Sequence, residues 1–473
     1  MILKYPYVSR IFSGFFSPFI LCFAWIFGQS SSYIDISDSF FIPGNFFCLC
    51  HQFRNKFIEQ KIQLRSNYRS GTSSNNQDDV FKEIVPLCDL SWKTISQVFP
   101  NPQQVMSKFV LNIYHNILKE HVGLRLADKN HTETYLNNLF QLYSATTRLT
   151  TDLTRFNVGS DHSFLSNLTK TIFRGYLETY INIESRYLNE KCTVYLQRFY
   201  ESRGHQKKKV AGMMGGETMQ GVIRDGKNIL ARANINIDMT TSYGGETFLS
   251  EEVAINLLQL TKTAFRRVQV LSNQKDMPGN AVEVFNILIS YLLHEHIDYA
   301  LEIGQQGIPL PECRTIPELY FFDVVGQTNA IIHLFEKQFN DSLLPLVAST
   351  PKYGDCLQRK KNELEKLEHK LDTGIDRTLS ALAGWVQTIL RTEQQKTDFN
   401  PVSAKLALNT TSSACLRVVK FVNYQVDRIR GSMDGKNLEM VLLELGLRLH
   451  RVIYDHLQVC KYTMCLILFI LLK

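Results

Sequence analysis

The chain has 473 residues, of which 44% are hydrophobic and 21% are charged, and its formal net charge is +7. This length exceeds what one compact core can use and favours about three domains or an extended array. The mild positive charge permits contact with acidic lipid or acidic proteins but does not indicate a nucleic-acid-binding protein. Because there are only 13 Pro and 25 Gly, long helices are favoured over many short strands.

Ten cysteines are scattered along the chain, and no Cys-x-x-Cys pair occurs. This distribution argues against a disulfide framework and a zinc module, and it is typical of a reducing, cytosolic compartment. Cys48, Cys50 and His51 are residue types that bind metals. Their spacing does not suit a zinc ribbon or finger, and no second pair follows, so ordinary thiols are the favoured interpretation.

Residues 1–50 form an apolar N-terminal segment whose composition differs from that of the following chain. The stretch 11–28 is almost wholly apolar and follows Lys4 and Arg10, as in a signal peptide or a short membrane span. The tail, 459–473, is again apolar. We favour the interpretation that both ends are foreign to the helical fold, and a true membrane signal is the alternative.

Residues 51–203 are predicted to form an N-terminal helical bundle, with a polar linker at 69–79. Apolar residues recur in this region at steps of three and four, which is the spacing of one face of a helix. Two such faces stand out: Leu136, Leu139, Leu142, Thr146 and Leu149 on one helix, and Ile172, Tyr176, Tyr180, Ile183 and Tyr187 on the next.

Residues 204–247 are rich in Gly and Lys and have no period, so we predict a flexible loop. The stretch 221–228 has the G-x-x-x-x-G-K spacing of a phosphate-binding loop. However, an Asn replaces the Ser or Thr that binds magnesium, and no strand precedes the loop. A short basic run offers a weak contact for an anionic surface, although a solvated loop is favoured: Lys207, Lys208 and Lys209.

Residues 248–345 are predicted to form a middle helical bundle with a turn at 304–317. The sequence His-Glu-His ending at His296, with Asp298 nearby, suggests a metal site. On an α-helix, however, His294 and His296 point about 200° apart, whereas the metalloprotease pattern needs His at i and i+4. A hydrogen bond between His294 and Asp298, which share a face, is the simpler interpretation.

Residues 346–458 are predicted to form a helical bundle that contains a long charged helix from about Lys352 to Thr392. Four leucines on this helix are spaced by three, four and seven residues, as in a coiled-coil seam. We favour packing of this leucine seam within its own bundle over binding to a partner subunit. The leucine seam consists of Leu357, Leu364, Leu367 and Leu371, and a last apolar face follows at Leu438, Leu442, Leu445, Leu449, Ile453 and Leu457.

Long distinctive runs occur between Phe53 and Gln458. They include FPNPQQVMSKFVLNIYHNIL (99–118), TYLNNLFQLYSATTRL (134–149), LYFFDVVGQTNAIIHLFEKQFND (319–341), KLDTGIDRTL (370–379) and VDRIRGSMDGKN (426–437). In these runs and in their order, the sequence resembles the exocyst complex component 5 family, whose members are subunits of the vesicle-tethering exocyst. The resemblance is continuous over this region.

The resemblance implies an all-α fold, an elongated rod of stacked helical bundles of the tethering-complex type with coiled-coil-like helices. It implies a scaffold that tethers secretory vesicles to the plasma membrane before fusion, without catalytic residues, cofactor or metal. Expected partners are other exocyst subunits, small GTPases of vesicle traffic and a peripheral membrane contact, but not nucleic acid. The expected location is cytoplasmic, at vesicles and plasma membrane.

Two alternatives stay open. One is a helical scaffold of another trafficking tether, and the other is a membrane-anchored helical protein if 11–28 is a true span. Family members also begin with a longer segment that supplies the assembly coiled coil and continue beyond the last helix into another helical domain. We therefore expect an interior fragment whose ends, 1–50 and 459–473, do not match the family.

Overall fold

A computed structural model of the chain describes residues 79–99, 101–159, 163–205, 247–312, 316–317, 320–395, 398 and 411–460. The chain divides into two units, Met1–Val80 and Phe81–Lys473, and almost all described residues belong to the second. Every regular element among them is a helix, so the all-α prediction is confirmed for this part of the chain. None of the described helices combines the length and the apolar character needed to cross a bilayer.

Two of the first described helices are joined end to end by a segment of π-helix. A π-helical segment, Ile113–Leu118, joins two α-helices, and a short 3₁₀ turn, Thr154–Phe156, follows a third. Pro102 occupies the first helical position, where its missing N–H costs nothing. The helices are α1 (Asp79–Val98), α2 (Pro102–Asn112), α3 (Lys119–Arg125), α4 (Thr132–Leu153) and α5 (Phe164–Ser202).

The middle helices are extended by two further π-helical segments, Ile289–Asp298 and Phe339–Leu343. The first helix of this group begins at a capped end, where the Ser250 hydroxyl accepts a hydrogen bond from the backbone N–H of Val253. The α-helical parts are α6 (Glu251–Leu271), α7 (Met277–Leu288), α8 (Tyr299–Gln306), α9 (Phe321–Gln338) and α10 (Leu344–Val347).

The last three helices are α11 (Lys352–Glu393), α12 (Ser413–Ser432) and α13 (Gly435–Val459). With 42 residues, α11 has nearly the bounds predicted from the sequence. Ser412 caps α12 by accepting a hydrogen bond from the Cys415 N–H. Helix α11 packs against α7, α8, α9, α10, α12 and α13, so it contacts every other helix of the second half of the described chain.

The core is built from the predicted apolar faces. One cluster of buried side chains includes residues of every helix from α3 to α13. A second, smaller cluster joins α11 to α12 through Trp385, Ile389, Ala414 and Val418. The larger cluster crosses the predicted boundary between the middle and last bundles, and the domain boundaries themselves stay a prediction.

Candidate interaction surface

A row of charged side chains fastens α11 to the preceding helices. The Nε2 atom of His294 lies 2.8 Å from a carboxylate oxygen of Glu363. Further along, the Lys370 ammonium group lies 2.5 Å from Asp298 and 2.8 Å from Glu302. His294, Asp298 and Glu302 follow one another at four-residue steps, so one side of the π-helical segment and α8 presents them together to α11.

The structure thereby separates the residues that suggested a metal site. His294 and Asp298 each bind α11, through Glu363 and Lys370, and do not form the predicted hydrogen bond with each other. His296 is fully buried, and its Nε2 atom lies 3.1 Å from the backbone nitrogen of Ser250. Within the described part of the chain, no group of three or more His, Cys, Asp or Glu side chains is placed to hold a metal ion.

The charged row shifts the pKa of two of its members. Burial raises the pKa of Glu363, but hydrogen bonds from His294 and Lys366 outweigh burial and hold this pKa below its usual value. Burial lowers the pKa of Lys370, but hydrogen bonds to Asp298 and Glu302 outweigh burial and raise it. Both shifts favour the charged forms, so both groups stabilise the packing of α11 near neutral pH.

The leucine seam lies against the core of this same chain. Leu367 and Leu371 are buried, at 2% and 7% exposure. Leu357 and Leu364 are half-buried and pack against the same cluster. The seam therefore contributes to the packing of α11 in the isolated chain, and binding of a partner by this seam stays untested.

A buried ion pair was missed by the sequence analysis. The Arg267 guanidinium donates two hydrogen bonds to Glu184, at 2.7 and 2.6 Å, and a longer one, 3.4 Å, to Asn137. These residues come from α6, α5 and α4, so the pair ties three helices together. A signal was present in the sequence, because Glu184 lies four residues after Tyr180 and three before Tyr187, on a face otherwise apolar.

The predicted anionic-surface contact cannot be placed. Lys207, Lys208 and Lys209 lie outside the described residues, as do the phosphate-loop-like stretch 221–228 and both apolar ends. The basic run therefore stays a prediction from sequence.

The last two helices carry an unusual amount of exposed apolar surface. Of the sixteen large apolar side chains that are exposed among the described residues, ten lie on α12 and α13. The predicted face of α13 packs inward at Leu445 and, half-buried, at Leu438, Leu442 and Leu449. That face does not stay buried to its end, because Ile453 is exposed. The ten exposed residues are Leu416, Val419, Tyr424, Met440, Leu443, Leu447, Ile453, Tyr454, Leu457 and Val459.

Helix α13 is held in place by a polar clamp. The Arg448 guanidinium donates to the Asp376 carboxylate at 2.5 Å, to the Ser380 hydroxyl at 2.8 Å and to Glu444 of its own helix at 2.7 Å. Because this clamp and the inner leucines fix the rotation of α13, its outer apolar residues are turned away from the core. Such a surface is suited to binding another helix.

The comparisons with known proteins agree with this helical architecture. The sequence model of the family described as "Exocyst complex component Sec10-like, alpha-helical bundle" matches residues 25–465. The chain belongs to this family. The matched range includes every helix described above. It also extends into both terminal segments, 1–50 and 459–473.

Individual members of the Sec10-like family are also similar over most of the chain. Exocyst complex component 5 of Drosophila melanogaster is 46% identical over 387 residues, which are 81% of this chain and 53% of the relative. The Homo sapiens protein of the same name is 46% identical over 390 residues, 82% of this chain and 54% of the relative. The Caenorhabditis elegans protein of the same name is 36% identical over 388 residues, which are 81% of this chain and 57% of the relative. The chain thus spans about half the length of the curated relatives it matches.

Proposed function

We propose that this chain acts as a subunit of the exocyst and helps to tether secretory vesicles to the plasma membrane before fusion. The observation that carries the proposal is the 46% identity to exocyst complex component 5 over 387 and 390 residues in two animals. The action is that of a helical scaffold without catalysis. It binds other exocyst subunits through helix surfaces, meets small GTPases of vesicle traffic, and stays cytoplasmic with peripheral contact to membranes.

Affinity capture tests this proposal. The full chain carries a tag and is expressed in cells that contain an exocyst, and co-purified proteins are identified by mass spectrometry after a wash at low salt. We expect enrichment of other exocyst subunits. Recovery of subunits of a different trafficking tether, or of no exocyst subunit, would contradict the proposal.

The affinity capture needs a control for the two apolar ends of the chain, because apolar segments bind other proteins non-specifically. Leu367→Asp places a charge in the core at a side chain that is 2% exposed, which disrupts the bundle and leaves both ends intact. We expect this variant to lose the exocyst subunits. Equal recovery with the variant would mean that the ends, and not the folded helices, hold them.

The membrane-anchored alternative rests on the apolar stretch 11–28. Washing membranes with alkaline carbonate distinguishes it, because this treatment releases peripheral proteins and leaves spanning proteins in the bilayer. We expect release of the chain. If only detergent releases it, the anchored alternative replaces peripheral attachment.

A further inference from the structure

Helix α13 has a second apolar stripe in addition to its core face. Six residues, five of them apolar and one a histidine, follow one another at alternating steps of three and four, which is the a/d pattern of a coiled coil. On a helix of 100° per residue, this stripe lies about 140° from the buried and half-buried leucines of the core face. We call it the outer seam; its members are Met440, Leu443, Leu447, His450, Tyr454 and Leu457.

All six residues of the outer seam are exposed in the part of the chain that the structure describes. Met440, Leu443 and Leu447 are 64%, 58% and 57% exposed, and Tyr454 and Leu457 are 55% and 37% exposed. His450 is also exposed, and its ring stacks on that of Tyr454 with 6.3 Å between ring centroids. The six residues span 18 positions, or about 27 Å of helix.

Opposite charges flank this seam at equivalent positions. Glu444 follows Leu443, and Arg451 follows His450, so both occupy the same edge, one heptad apart. Arg451 is exposed and forms no ion pair among the described residues. Glu444 accepts from Arg448 at 2.7 Å and has a second carboxylate oxygen available, since a carboxylate accepts several hydrogen bonds.

We propose that the outer seam pairs antiparallel with the outer seam of a second copy of this chain. Reversing the helix about its midpoint sets Met440 against Leu457, Leu443 against Tyr454 and Leu447 against His450. The same reversal places Glu444 level with Ile453 of the second copy, two positions from Arg451. In an antiparallel coiled coil the flanking positions of one edge meet each other, so Glu444 reaches Arg451 of the second copy across this edge. By two-fold symmetry this ion pair forms twice.

Self-complementarity favours a second copy over a different partner. A two-fold interface uses the same patch on both copies, so each residue must suit the residue that faces it from the other copy. Here the seam residues and the flanking charges meet this requirement. A seam of this length buries less than a standard interface, so the dimer is expected to be weak and to depend on concentration. The inference does not rest on the proposed exocyst function, because it concerns two copies of this chain alone.

Charge reversal tests the pairing. Two full-length copies with different tags are expressed together, and one tag is used to capture the other. We expect Glu444→Arg alone and Arg451→Glu alone each to reduce capture several-fold, and the double variant to restore it, because the two charges exchange places. Circular dichroism checks that each variant keeps its helical content. If Glu444→Arg loses helical content, the test is carried by Arg451→Glu, whose position is exposed and forms no ion pair among the described residues.

A matched pair of apolar substitutions separates the seam from association through the apolar ends. Leu447→Asp lies in the seam, whereas Leu124→Asp introduces the same charge at a side chain that is also exposed but belongs to α3. We expect loss of capture with Leu447→Asp only. The proposal would be overturned by unchanged capture with Leu447→Asp, or by a double charge reversal that does not restore capture. It would also be overturned if the two copies did not capture each other at all, even if the seam proved necessary for binding another subunit.

Discussion

Glu184 and Arg267 form an ion pair inside the core, with side-chain exposures of 0% and 5%. Two parallel hydrogen bonds connect them, and these bonds offset much of the free-energy cost of removing both charges from water. Removing one partner leaves the other charge buried and unpaired. The energetic importance of this pair therefore lies mainly in the cost of breaking it.

We expect Arg267→Met to destabilise the chain by about 3–5 kcal/mol, because Glu184 would remain buried without a partner. The double variant Glu184→Met with Arg267→Met should lose much less stability, since no buried charge remains. Thermal melting followed by circular dichroism measures both. The exposed pair Arg174 and Glu178, also on α5, supplies the control: Glu178→Gln should change melting little. A double variant as unstable as the single one would contradict this account.

Glu363 should make the stability of the chain depend on acid pH. Its folded pKa lies below the usual value of 4.5, so its contribution is present above that value and is lost as pH falls through the folded pKa. We expect Glu363→Gln to lower stability by about 1 kcal/mol at neutral pH. The difference between variant and native chain should shrink on acidification below about pH 4.5. A difference that stays constant from pH 7 to pH 3 would show that Glu363 acts through shape and not through charge.

At the scale of the element, α11 owes its close packing to a glycine in the stretch KLDTGIDRTL. A Cβ atom at Gly374 would overlap the ring of Phe321, which is buried at the start of α9. Glycine ordinarily weakens a helix interior. Here it permits the two helices to approach, so the same residue that lowers helix propensity allows the tertiary contact.

Gly374→Ala should therefore destabilise the chain by about 1–3 kcal/mol, although alanine is the better helix former. Gly354 is the matched control in the same helix, because a Cβ there meets no atom within 4 Å. Gly354→Ala should raise or preserve the melting temperature. Adding Phe321→Leu to Gly374→Ala should recover part of the loss, and equal effects at both glycines would refute the steric explanation.

The leucine seam offers a graded test along one helix. Replacement of a buried Leu by Ala costs about 2–5 kcal/mol, so Leu367→Ala should lower the melting temperature more than Leu364→Ala at the half-buried position. Glu365→Ala, on the exposed side between them, should have little effect. If the leucine variants melted like the native chain and lost capture of a partner subunit, the seam would be an interface and the prediction of intramolecular packing would be wrong.

At the scale of the whole molecule, one core cluster contains residues from the predicted N-terminal, middle and last bundles. A core shared in this way couples the stability of its helices. We expect Arg267→Met in α6 to increase amide hydrogen exchange in α11 as well as in α5 and α6. If the increase stayed within α4 to α6, the predicted bundles would be independent folding units, and Glu178→Gln provides the baseline.

Much of the helical architecture follows from local spacing. Apolar residues at steps of three and four predict the apolar faces of α4 and α5, and the spaced leucines and the charged run predict the long helix α11. Spacing alone does not decide which of two apolar faces of one helix is buried. In α13 both stripes have helical spacing, and the sequence analysis selected the stripe that includes Leu445 without detecting the outer seam.

The sequence by itself determined that this chain is helical, that α11 is one long helix with a leucine stripe, and that its runs resemble one family. Only the tertiary structure decided that His294 and Asp298 bind α11 instead of each other, that Glu184 meets Arg267, and which face of α13 stays outside. The physical reason is separation along the chain: His294 and Glu363 are 69 positions apart, and Glu184 and Arg267 are 83 apart. Helical periodicity fixes which residues share a face, whereas the partner of that face depends on how distant helices pack.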